Sequence, residues 1–248
     1  MSMIIGSDMV FCKNAGSTNS YASGLLKSGH VSEGTVIYTN FQSAGRGQKG
    51  RRWESEDGKN LLFSIILYPS MVTPADQFII SIFISLGICD FLKPLAPGCK
   101  IKWPNDIYSG DDKIAGILIE NSITVNTIIN SIAGIGMNIN QEEFPEEIPN
   151  PVSLKILTGI EHDTDLCLQN LAACLDRRYK QVISGDWNEL RNEYISYLYR
   201  LNQRSLFKSA DGIFEGRILT IADSGCIVIE TSKGEIREFA FREIDFII

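Results

Sequence analysis

The spacing of apolar positions changes several times along the chain, and each change predicts a different element. After Ser17, Thr18 and Asn19, the residues Tyr21, Ala22, Leu25 and Leu26 fall on one helical face, and Gly29 ends the run. Residues 35–39 and 60–67 read as strands on either side of a glycine-rich loop. Thr73 is placed to cap a helix with Pro74 in its first turn. Phe78, Ile79, Ile82, Phe83, Leu86 and Cys89 form its apolar stripe, which stops before Pro94. Residues 100–103 are extended and run into a turn at Pro104, Asn105 and Asp106. Two long apolar segments, 113–120 and 127–138, predict an antiparallel hairpin with its turn over 121–126. Helical periodicity returns at Leu168, Leu171, Ala172, Leu175, Tyr179 and Val182, then at Trp187, Leu190, Tyr194 and Leu198.

Beyond Arg200 the pattern becomes short strands at close spacing, over 205–208, 212–221, 226–230 and 235–239. Asp211-Gly212, Ser224-Gly225 and Lys233-Gly234 separate them as turns. This predicts two domains, residues 1–200 and 201–248, the second a small β-barrel of the SH3 type. Because strands and helices do not alternate regularly, the larger domain is expected to be α+β.

Composition narrows the class. The 248 residues are 44% apolar, with no run expected to cross a bilayer and no signal-peptide pattern at the start, so a cytoplasmic protein with no membrane role is expected. Six scattered cysteines without a C-x-x-C, and only two histidines, predict reduced thiols and no metal site. The formal charge of −7 argues against non-specific nucleic-acid binding. Against that acidic background, residues 41–53 carry Arg46, Lys49, Arg51 and Arg52 and no acid.

This basic stretch contains Gly45-Arg46-Gly47-Gln48-Lys49-Gly50, which fits the G-x-G-x-x-G template of dinucleotide-binding loops. That template needs a helix directly after the loop, whereas this loop runs from strand to strand, so the dinucleotide reading fails on context. Glycine and arginine together still suit an anion, through close backbone approach and a planar hydrogen-bonding fork. An exposed flexible connection is the plainer alternative. In Lys102-Trp103-Pro104-Asn105-Asp106, proline holds the last two residues at a corner, which serves either turn chemistry or a site. In Lys113-Ile114-Ala115-Gly116-Ile117-Leu118, Gly116 is either a bulge or a place where a ligand lies flat on the strand beside Lys113. Residues 133–138, ending in Asn138, add a second glycine-containing strand.

Taken jointly, Ser17-Thr18-Asn19, Gln42-x-x-Gly45-Arg46-Gly47, Trp53, Lys102-Trp103-Pro104-Asn105-Asp106, Lys113-x-Ala115-Gly116-Ile117-Leu118 and Gly134-x-Gly136-x-Asn138 resemble the biotin protein ligase family. The resemblance covers most of the chain. It implies a mixed, mainly antiparallel sheet with flanking helices, of the class II synthetase-like kind, followed by an SH3-like domain. It also implies that ATP, with Mg²⁺, converts biotin to biotinyl-5′-AMP, and that biotin then passes to one lysine of a biotin carboxyl carrier domain. Lys113, Arg46 and Asp106 are the implied catalytic residues. Ser17, Thr18, Asn19, Gln42, Gly45, Arg46, Gly47, Gln48, Lys113 and Gly116 are implied to bind biotin. Arg46, Gln48, Lys49, Arg51, Trp53, Asn105, Lys113 and Asn138 are implied to bind the nucleotide.

Two departures from the family pattern stand out. Gln48 replaces an arginine that many members carry, and Lys49, Arg51 or Arg52 is expected to compensate. Only residues 1–16 precede the Ser-Thr-Asn motif, which predicts a form without a DNA-binding domain and without specific DNA binding; a homodimer is compatible with the sequence. A lipoate or octanoate ligase or transferase is the nearest alternative, and a non-catalytic biotin- or nucleotide-binding module is one of another class.

Overall fold

The computed structural model describes residues 2–247, without the side chain of Lys49. Its larger sheet has seven strands in the order β1-β2-β3-β7-β6-β5-β4. The strands are β1 (Met9–Phe11), β2 (Val36–Thr39), β3 (Leu61–Leu67), β4 (Cys99–Lys102), β5 (Asp106–Ser109), β6 (Asp112–Ile123) and β7 (Ile128–Met137). All neighbours are antiparallel except β1 and β2. The predicted hairpin is β6–β7. Sequence patterning missed β1 and β5, because three- and four-residue strands are too short to display a period.

Opposite residues of antiparallel strands share a face, so the registers sort side chains into two layers. One face carries Ile37, Ile66 and Ile132, which pack with Ala22 of α1 (Thr18–Ser28) in a small core. The other carries Phe63, Ile65, Ile117 and Ile135, which belong to the main core with α2 (Phe78–Leu92), α4 (Thr164–Ser184) and α5 (Trp187–Ser196). A short α3 (Leu154–Thr158), absent from the sequence reading, follows a capping Ser153 whose Oγ accepts from Ile156 N at 3.2 Å.

The expected stripe on α2 is corrected by the structure. The helix begins at Phe78, after a separate 3₁₀ turn (Pro74–Asp76), and almost every residue on it is buried. Residues Pro74–Leu92 are also long and apolar enough, with mean hydropathy 1.7, to pass as a membrane span, contrary to the sequence expectation. The reason for both is burial on all sides, 72% within the fold, between the sheet, the other helices and the C-terminal strands. Arg178 holds the helical layer together, donating to Asp90 on α2 and to Glu193 on α5 at 2.6–2.9 Å.

The C-terminal strands β8 (Arg204–Ser209), β9 (Gly212–Ile221), β10 (Ile227–Thr231), β11 (Ile236–Phe239) and β12 (Ile244–Phe246) form a second, wholly antiparallel sheet in the order β11-β10-β9-β8-β12. This is the expected SH3-like unit with one more strand, β12. Among the described residues no ladder closes β11 onto β12. It meets the larger sheet near the Lys102–Asp106 corner: Trp103 Nε1 donates to Gly225 O at 2.9 Å, and the rings of Phe78 and Phe241 lie 5.8 Å apart.

Candidate active site

The registers place a row of facing residues across the sheet: Lys102 opposite Asp106, Asp106 opposite Gly116, Gly116 opposite Gly136, and Gly136 opposite Leu62. The next row on the same face runs Leu118, Gly134, Ser64, Ile37. Three glycines thus leave a bare strip of backbone flanked by side chains, which is the floor of a slot of about 50 Å³.

Lys113 reaches this floor only because of a β-bulge. Strict alternation from Gly116 would send a residue three positions away to the opposite face. The ladder instead pairs Ile107 with Ala115 and Tyr108 with Lys113, leaving Ile114 as the extra residue. Lys113 therefore shares a face with Asp106, and Nζ lies 2.6 Å from Asp106 Oδ1. Of the two readings left open for Gly116 the bulge does not hold, since it falls at Ile114, and Asp106 is the first residue of a strand rather than part of the turn. Backbone bonds fix the lysine from behind, with Lys113 N donating to Asn150 O at 2.7 Å and Val152 N to Lys113 O at 3.0 Å.

At the other end of the slot stands the first turn of α1. Its N-terminal N–H groups need acceptors from outside the helix. The Ser17 hydroxyl does not cap it, and Gln42 Oε1 accepts from Thr18 N at 2.8 Å and from Thr18 Oγ1 at 3.2 Å. Ser64 Oγ donates to Asn19 Oδ1 at 2.6 Å and stands 2.7 Å from Thr18 Oγ1. Asn19 Nδ2 donates to Glu120 Oε2 at 2.7 Å. Gly134 is required here, since a Cβ on it would stand 2.3 Å from Asn19 Oδ1.

The glycine loop roofs the slot. Trp53 N donates to Gly45 O at 3.1 Å, and a 3₁₀ turn (Gln48–Gly50) shapes the tip. The loop leads from strand to strand, as expected, and among the described residues the 3₁₀ turn is its one helical piece between β2 and β3. The Trp53 indole lies flat over Gly116 and Gly136, with Lys113 Nζ 5.7 Å from its ring centre. Its Nε1 is buried without a hydrogen-bond partner, an orphaned donor inside the site. Arg46 crosses the mouth and donates from both terminal nitrogens to Glu120, at 3.0 and 2.8 Å.

Ser17, Thr18, Asn19, Gln42, Arg46, Gly47, Gln48, Trp53, Asn105, Lys113 and Gly116 all line the slot, so most of the expected set is brought together. Gly45 and Arg51 instead line a wider groove of about 870 Å³ that opens beside it. That groove is walled by the loop, the start of α2 and C-terminal residues that include Phe241 and Arg242. Asn138, one residue past the end of β7, is not part of either lining; it is 4% exposed, with Nδ2 donating to Val152 O at 3.0 Å. The Lys49 side chain falls outside the described residues. Sequence reasoning missed Ser64, the lone polar residue within an apolar strand, and Glu120, which closes the segment begun by Lys113.

Opposite Asp106, Lys102 Nζ donates to Tyr108 OH at 3.0 Å and sits over the rings of Tyr108 and Phe246. Burial pushes its pKa down; Asp106 counteracts this, while Arg51 adds to it.

Fold and slot together present a strip of bare strand backbone, with polar groups at one end and a lysine–carboxylate pair at the other. The sequence profile of the Biotin/lipoate A/B protein ligase family matches residues 12–138, slightly more than half of the chain. The biotin–[acetyl-CoA-carboxylase] ligase of Paracoccus denitrificans is 30% identical, over 78% of this chain and 82% of that protein. The bifunctional ligase/repressor BirA of Bacillus subtilis (strain 168) is 29% identical, over 93% of this chain and 72% of its own length. Among solved structures, the biotin protein ligase of Aquifex aeolicus in complex with biotin and ATP superposes with a TM-score of 0.81 at 27% identity, covering 96% of this chain and 98% of that one. The chain belongs to the biotin/lipoate A/B protein ligase family.

Proposed function

We infer that this protein is an ATP-dependent biotin–protein ligase, which activates biotin as biotinyl-5′-AMP with release of pyrophosphate and then transfers it to a lysine of a carboxylase carrier domain. The observation that carries this reading is the bulge-directed Lys113, paired with Asp106 at one end of a glycine-floored slot whose other end presents Ser17, Thr18, Asn19 and Gln42. Biotin's ureido group both donates and accepts hydrogen bonds, which suits that polar end better than a plain acyl chain does.

Adenylation presses a carboxylate against an α-phosphate, and fixed cations offset the repulsion that develops. Lys113 and Arg46 are the cations placed at the slot, and Arg51 lines the adjoining groove, where a triphosphate has room. Asp106 holds Lys113 and is positioned to orient the incoming carrier amine. Trp53 offers a flat face and an unpaired N–H, and Asn105 borders both slot and groove. Gln48 lies in the lining without a charge, which leaves Lys49, Arg51 or Arg52 to retain the adenylate, and the two arginines also line the groove. Mg²⁺ would arrive on ATP: among the described residues no cluster of three or more His, Cys, Asp or Glu forms a cage for it.

We place the division between a catalytic domain and an SH3-like domain at residues 200 and 201, where Leu201 bridges to Ile218 as the chain enters the second sheet. Six free cysteines fit a reducing cytoplasm. The deciding experiment incubates the protein with ATP, an apo carrier domain and either radiolabelled biotin or lipoate. Biotin-dependent pyrophosphate release followed by carrier labelling is expected. Labelling by lipoate alone would move the protein to the other branch of its family, and no pyrophosphate release with either would leave a binding module.

A further inference from the structure

Glu120 is the partner of the loop arginine, and no role is assigned to it above. It lies on β6, two residues beyond Leu118 of the slot floor, and its carboxylate receives three bonds from two elements. Arg46 donates to both oxygens, at 3.0 and 2.8 Å, and Asn19 Nδ2 donates to Oε2 at 2.7 Å. The glycine loop and the first turn of α1 are thereby tied to one side chain across the mouth of the slot. Asn19 is itself fixed, by Ser64 at 2.6 Å and by its second donation, to Leu118 O at 3.2 Å, so the tie has a rigid anchor.

A guanidinium can serve two carboxylates at once, as Arg178 does with Asp90 and Glu193, but each paired carboxylate offsets part of its charge. With both terminal nitrogens on Glu120, the end-on fork of Arg46 is occupied and its charge offset, and an anion entering the mouth also meets a carboxylate of like charge. We propose that Glu120 is a charge latch: it holds Arg46 over the closed slot and competes with the ligand's own anionic end for that arginine. Glu120 is then a positioning residue that makes binding selective for ligands carrying an anion able to take its place. Arg46 and Glu120 side chains are 45% and 40% exposed, which keeps the pair weak enough to exchange.

The latch rests on the ligase reading for the identity of the ligand but not for its own existence, so two measurements separate them. In ligand-free protein, Glu120→Gln keeps a hydrogen-bonding group for Asn19 and removes the charge that holds Arg46. Tryptic cleavage within residues 45–52 then accelerates about two- to fivefold, the range expected for losing a half-exposed ion pair. Unchanged cleavage overturns the latch whatever the ligand is. Calorimetry with biotin and with its uncharged methyl ester supplies the charge-specific readout. Glu120→Gln binds biotin about two- to fivefold tighter and the ester as wild type does, and in an Arg46→Ala background the gain for biotin is smaller and the ester is again unaffected. Equal shifts for both ligands, or weaker biotin binding, overturn the latch. Wild type that binds neither ligand fails the ligase reading, while the cleavage result still decides the latch.

Discussion

The Trp53 indole lies directly on Gly136: a Cβ built on that glycine would stand 2.4 Å from Trp53 Cε2, with two further ring atoms inside 3 Å. A rigid ring cannot give way as the end of a flexible side chain does, and Gly45 O holds the Trp53 backbone from the other side. Gly136→Ala therefore lifts the indole off the floor. The expected result is a red shift of tryptophan emission, together with a loss of about 1–3 kcal/mol of stability from overpacking, read by urea denaturation.

Lys113 reaches the slot through a bulge, and its partly exposed ammonium contacts Asp106 and the Trp53 ring rather than the apolar core. Lys113→Ala is expected to cut biotin-dependent pyrophosphate release by at least about 100-fold, the scale of removing one fixed charge or donor from a transition state. The melting temperature should move little. Full activity in that variant would move the reacting centre elsewhere.

Ser64 is fully buried and joins Asn19 and Thr18, the two residues that shape the polar end of the slot. Ser64→Ala leaves Asn19 Oδ1 without its donor, and a loss of about 1–3 kcal/mol is expected. Biotin affinity should fall while turnover at saturating biotin stays close to wild type, since the change lies at the end remote from Lys113. A lowered turnover with unchanged affinity would contradict this placement.

Lys102 carries a pKa pushed down by burial, among Tyr108, Phe246, Asp106, Arg51, Arg200 and Asp245. A lysine whose folded pKa lies below its unfolded value binds more protons unfolded, so between the two values stability rises with pH. Lys102→Met, which keeps the stem and removes the charge, is thus most favourable relative to wild type at neutral pH. Its advantage should shrink as pH rises toward the unfolded lysine value of about 10.4, seen as converging denaturation midpoints.

Much of this was legible in the linear pattern because the rules involved are local. Ser17, Thr18 and Asn19 open a helix, 60–67 and 113–138 are apolar enough to be strands, and Asp211-Gly212, Ser224-Gly225 and Lys233-Gly234 punctuate the C-terminal sheet. The glycine loop runs from strand to strand as read, since the elements on both of its sides were apolar enough to be recognised as strands. What escaped were the elements whose length or burial hides a period. β5 has four residues, β1 and β12 have three, and α2 is enclosed on every side, so that it shows no polar face.

The site divides along the same line. The sequence by itself determined which chemical groups are present: the cations of the loop, the glycines of two strands, Lys113 and Asp106. Their meeting was decided by tertiary structure. Alternation alone puts Lys113 and Gly116 on opposite faces, and only the pairing of β6 with β5, one residue out of step at Ile114, turns the lysine toward Asp106. Arg46 and Glu120 are 74 positions apart, and Asn19 and Glu120 are 101 apart, so no spacing rule connects them. Register across a sheet and closure of a loop over it are properties of non-local contacts, set by how the whole core packs.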